Sequence, residues 1–98
     1  MATTRRAKPG KPDIAPPTNT VSQLELMGFL QKRSVHELVV AEVAPGAYRI
    51  EAIIAWRVGR WTLETERGPR TFRRMDTLIK HLKAMGAGHT ITRLELLP

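Results

Sequence analysis

A chain of 98 residues holds one small domain with flexible ends and has no room for a second core. It contains no cysteine, which excludes disulfide staples, thiolate catalysis and Cys-based zinc sites and fits a reducing, cytoplasmic compartment. Sixteen Lys and Arg against nine Asp and Glu leave a net charge of +7, a bias toward polyanionic partners, because cations that neutralise phosphates release counterions.

The opening stretch MATTRRAKPGKPDIAPPTNT sets Arg5, Arg6, Lys8 and Lys11 against Asp13 among four prolines and offers almost nothing to a core. A disordered basic tail is expected over 1–20 and a single domain over 21–98, with the four tail cations as candidate contacts to the partner. No hydrophobic segment follows the basic N-terminus, and no apolar run approaches the ~20 residues of a membrane helix, so neither a signal peptide nor a membrane span is expected.

From Ser22 the helical spacing of Leu26, Phe29 and Leu30, with Val21 and Met27 nearby, predicts a first helix running to Lys32 or Arg33. Ser22 followed three residues later by Glu25 has the form of a capping box. Two β-branched segments then flank Pro45-Gly46, a pair suited to the centre of a type II turn, and predict a hairpin. On its second strand Tyr48, Ile50, Ala52, Ile54 and Trp56 alternate onto one face, read as the core side.

After a break at Val58-Gly59, Trp61, Leu63 and Thr65 continue the period of two as a third strand. Gly68-Pro69 marks a reversal, Thr71 to Arg73 is a candidate short fourth strand, and Phe72 is placed as the seal of the core. Met75, Leu78, Ile79, Leu82 and Met85 fall on one stripe of a second helix, which Gly86 ends. Alternation from Thr92 to Leu96 predicts a last strand at a sheet edge. The expected architecture is an α+β domain: an antiparallel β-meander of three to four strands with two helices and a C-terminal strand, in the order α-β-β-β-(β)-α-β.

Charge is unevenly spread along this plan. Residues 57–83 carry Arg57, Arg60, Arg67, Arg70, Arg73, Arg74, Lys80 and Lys83 against Glu64, Glu66 and Asp76, whereas the rest of the domain is nearly neutral. Such asymmetry concentrates a field, so these eight cations, with Trp61, are the candidate nucleic-acid or partner-binding residues. Trp56 and Trp61 flank a turn that contains Arg57 and Arg60, an arrangement able to stack bases and hold phosphates, although alternation assigns Trp56 to the core. Arg70, Arg73 and Arg74 crowd the entrance to the second helix, where cations oppose the macrodipole, and a broken local rule beside a charge cluster points to function.

The catalytic alternatives are poorly supplied. The carboxylates are few and dispersed, and Asp76 suits the first turn of a helix, so no enzymatic activity is expected. His36, His81 and His89 match no compact ligand spacing, and the GAG at 86–88 follows a helix instead of opening one, so neither a metal, a cofactor nor a phosphate loop is expected.

The segment WTLETERGPRTFRRMDTLIKHLKAMG, through Trp61, Arg67, Gly68, Arg70, Phe72, Arg73, Asp76, Thr77 and Leu78, resembles small plasmid-borne accessory proteins of the ParC partition-associated type, over about a third of the chain. That resemblance implies a bacterial mobile-element protein acting by contact in plasmid maintenance or its regulation, without an established active residue to carry across. The order α-β-β-β-α is also similar to double-stranded RNA-binding domains, whose second helix brings lysines to phosphates; here that helix offers Lys80 and Lys83. The expected partner is nucleic acid, DNA ahead of RNA, with docking on an acidic protein as the alternative and homodimerisation through an unprotected sheet edge as an open option.

Overall fold

A computed structural model describes residues 17–98; the tail contacts expected at Arg5, Arg6, Lys8 and Lys11 lie outside the described residues. The elements run β1 (Thr20–Ser22), α1 (Gln23–Gln31), β2 (Val35–Ala44), β3 (Ala47–Ile54), β4 (Trp61–Thr65), β5 (Gly68–Pro69), α2 (Met75–Met85) and β6 (Thr92–Glu95). They build an α+β domain around one sheet of order β1-β4-β3-β2-β6, with β5 attached to β4.

The sheet is mixed, which corrects the antiparallel meander. Strands β2, β3 and β4 do pair antiparallel, but β1 joins β4 and β6 joins β2 in parallel. Parallel partners need crossovers, and the two helices supply them. Helix α1 takes the chain from the β1 edge to β2, and α2 takes it from the β5 side to β6 at the opposite edge. Strand β1 was hidden in what reads as tail and cap: Val21, grouped by spacing with the first helix, instead stands in register with Leu63 and is fully buried.

The capping box is present. Ser22 Oγ accepts from the Glu25 N–H at 3.1 Å while Glu25 Oε1 accepts from the Ser22 N–H at 3.3 Å. The helix ends at Gln31, with Lys32 as its C-cap and Arg33 left-handed at φ 58°. Gly46 takes φ 71° in the two-residue hairpin turn, and Gly86 takes φ 90° to stop α2, both conformations that glycine reaches without a Cβ clash.

Both helices cover one face of the sheet. Leu26 and Leu30 from α1 and Leu78 and Met85 from α2 share a core with Leu38, Val40, Ile50, Ala52, Ile54 and Leu63. Phe72 seals it as expected, bridging to Tyr48 through two short backbone hydrogen bonds, although the short strand that follows β4 is β5 at Gly68–Pro69 and not Thr71 to Arg73. No helix among the described residues is long and apolar enough to cross a membrane.

Candidate nucleic-acid interface

The eight cations of residues 57–83 fall into two groups once their carboxylates are located. Arg60 belongs to the face of the sheet away from the helices. There Glu51 Oε2 accepts from Arg49 Nε at 3.2 Å and Glu51 Oε1 from Arg60 Nη1 at 3.1 Å. Arg60 also donates twice to Glu95, at 2.6 and 2.8 Å, in the bidentate geometry that makes such pairs strong. Arg93 closes the chain of charges, lying 3.3 Å from Glu95 and 3.4 Å from Glu37.

Among the described residues this network joins three arginines to three glutamates, a balanced count, and spans the sheet. Glu51 and Glu95 lie on strands that flank β2, so the guanidinium bound to both passes over β2 and its residues Val39 and Ala41. Those two side chains are buried although they point away from the helices, because the stems of the charged residues roof them. The Arg60 pKa is raised, first by its hydrogen bonds to Glu95, and the Glu95 carboxyl is correspondingly held below the usual range by Arg60.

Arg74 is likewise engaged. Its Nε and Nη2 reach the two carboxylate oxygens of Asp76 at 3.1 and 2.9 Å, which depresses the Asp76 pKa. The arginine at the N-cap of α2 is therefore offset by the acid of the first turn, and the conflict with the macrodipole is relieved locally.

Arg57, Arg67, Arg70, Arg73, Lys80 and Lys83 make no ion pair among the described residues. Arg70 lies over the Phe72 ring at 4.6 Å, and that ring meets His81 of α2 at a centroid distance of 5.4 Å, so the cation is tied to the body of the helix. His81 is held below the usual histidine pKa, first by burial and then by the Arg70 charge, and its Nε2 is buried without a hydrogen-bond partner among the described residues. Arg73 precedes α2, while Lys80 and Lys83, at helical spacing, stand on its exposed side, and Arg67 tips the β4–β5 turn.

Arg57 occupies a different niche. Its guanidinium sits 4.8 Å from the Phe29 ring and 4.6 Å from Trp61, a cation held against two aromatics. Trp61 donates from Nε1 to Val58 O at 3.1 Å and packs against the core, so Arg57 already occupies a face of that ring.

Trp56 corrects the alternation reading: it is 80% exposed, not core. Strand β3 ends at Ile54, the Arg57 N–H returns to Ile54 O at 3.1 Å, and Trp56 is turned outward at φ 54°, in the left-handed region where a bulky residue is strained. The one sequence signal for this was the proximity of the Val58-Gly59 break, which placed Trp56 at a strand end where alternation loses force.

His36 and His89 line an open groove of about 550 Å³ with Leu30, Arg33 and Ile91. His81 is not among its lining residues, and no group of three or more His, Cys, Asp or Glu positioned for a metal occurs among the described residues. No family model matches the chain, and neither the curated proteins nor the solved structures contain a match to it.

Proposed function

We propose that the protein binds nucleic acid, DNA in preference to RNA, through Arg67, Arg70, Arg73, Lys80 and Lys83, without catalysing a reaction. The observation that carries this reading is the division of the cations. Arg49, Arg60, Arg74 and Arg93 are matched by carboxylates, while Arg67, Arg70, Arg73, Lys80 and Lys83 have none among the described residues. Unmatched cations repel one another and cost stability unless a polyanion meets them. Exposed Trp56, beside Arg57, supplies a ring on which an unpaired base can stack. A role in plasmid maintenance or its regulation rests on the resemblance of residues 61–86 to partition-associated accessory proteins.

Docking on an acidic protein is the second reading, favoured by the neighbouring exposure of Trp56 and Val58, an apolar pair of the kind that anchors protein interfaces. Fluorescence anisotropy with labelled duplex and single-stranded DNA separates the two. Binding by the intact protein that is lost when Arg67, Arg70, Arg73, Lys80 and Lys83 become alanine supports the first reading. Absence of binding at low salt overturns it and directs the search to a protein.

A further inference from the structure

Strand β6 is an edge strand of the sheet. Leu94 stands in register with Val40 on the helix-covered side, yet it is 52% exposed because neither helix reaches over it, and Leu96 beyond it is exposed as well. Backbone polarity along this edge follows from one bond. Ile91 O accepts from the Leu38 N–H at 2.9 Å, so Ile91, Arg93 and Glu95 turn their peptide groups toward β2. Thr92, Leu94 and Leu96 therefore turn theirs outward, a row of donors and acceptors with no strand beside it among the described residues.

We propose that this edge pairs with the same edge of a second copy, antiparallel, about a two-fold axis at Leu94. In that register Leu94 meets Leu94 of the second copy as a hydrogen-bonded pair, and Thr92 meets Leu96, using only outward-facing peptide groups. Arg93 of each copy then stands opposite Glu95 of the other, on the face that already carries the balanced ion network, so the network continues across the axis. Moving the axis to Thr92 would set Arg93 against Ile91 and Glu95 against His89, forfeiting the charge match. On the helix side the exposed leucines at 94 and 96 of both copies cover one another. The charge complementarity of the sequence Arg93-Leu94-Glu95 with its own reverse is what selects a second copy over another partner.

The test uses the full chain without nucleic acid. Sedimentation of the wild type is expected to show a concentration-dependent species of twice the 11.0 kDa monomer. Leu94→Lys, at a position already half exposed in one copy, is expected to keep the circular dichroism of the wild type and to weaken the dimer at least about tenfold, since it sets two ammonium groups face to face. Because the chain has no cysteine, Leu94→Cys introduces the only thiol, and mild oxidation is expected to cross-link it across the axis, where paired Cα atoms approach to about 5.5 Å. Leu24→Cys on the exposed side of α1 is expected to cross-link far more slowly. A wild type monomeric at high concentration, a dimer unaffected by Leu94→Lys, or equal cross-linking of the two cysteine variants overturns the proposal.

Discussion

Arg60 shows why charge counted along a chain differs from charge offered to a partner. It is among the candidate phosphate contacts by sequence, yet it is held by Glu51 and Glu95, residues 9 and 35 positions away. Removing it leaves Glu51, which is almost buried, with Arg49 as its remaining arginine partner. Arg60→Ala is expected to lower unfolding free energy by about 1–2 kcal/mol in urea titration, a value discounted for the partial exposure of Arg60. The same change is expected to leave DNA affinity much less altered than Arg73→Ala. Trp56 makes the converse case: Trp56→Gly is expected to raise stability by about 1 kcal/mol by relieving a left-handed φ, while weakening binding to single-stranded DNA.

Acid sensitivity belongs to the same scale. Glu95 and Glu42 have folded pKa values below their ordinary 4.5, the first through Arg60 and the second through the backbone N–H groups of Gly46 and Leu97. Their stabilisation is complete above the unfolded pKa and is lost as pH falls through the folded values. His81 is depressed below 6.5, so the unfolded chain takes up its proton first and acidification already begins to destabilise the fold there. Thermal melting from pH 7 to pH 3 is expected to show a shallow decline starting near 6.5, abolished by His81→Leu, and a steeper one below 4.5, reduced by Glu95→Gln.

At the scale of the elements, α1 depends on its cap and α2 on its apolar stripe. Ser22→Ala is expected to cost about 1 kcal/mol, since it removes the side-chain acceptor for the Glu25 N–H. Leu78→Ala, at a fully buried position, is expected to cost about 2–5 kcal/mol, a large fraction of the total stability of a domain of this size. Both helices were legible because their signals are local: a cap three residues from its partner, and a repeat that Leu78 and Met85 satisfy within one element. The hairpin was legible through Pro45-Gly46 for the same reason. Strand β1 was not, because three residues carry no period and Val21 acquires its meaning from Leu63, 42 positions away in the register of the parallel pair. Trp56 was misread because alternation presumes that the strand continues, and a single positive φ ends it. The cation cluster was visible in sequence, but which of its members stay free depended on carboxylates contributed by distant strands.

For the whole molecule, the sheet separates two electrostatic surfaces. One carries the network of Arg49, Glu51, Arg60, Glu95, Arg93 and Glu37, while Arg70 and Arg73 before α2 and Lys80 and Lys83 on its exposed side are cations without carboxylate partners among the described residues. Neutralised arginines release few counterions on approach to a phosphate backbone, whereas free ones release roughly 0.9 each. The decisive measurement is therefore the slope of log affinity against log salt for duplex DNA, compared between the wild type, Arg70→Ala/Arg73→Ala/Lys80→Ala, and Arg49→Ala/Arg60→Ala/Arg93→Ala, after circular dichroism has confirmed that each is folded. The free-cation variant is expected to lose roughly 3 from the magnitude of the slope, and the network variant to lose close to nothing. Equal losses in the two variants, or an affinity indifferent to salt, would contradict the division of the molecule into a charge-balanced face and a phosphate-binding one.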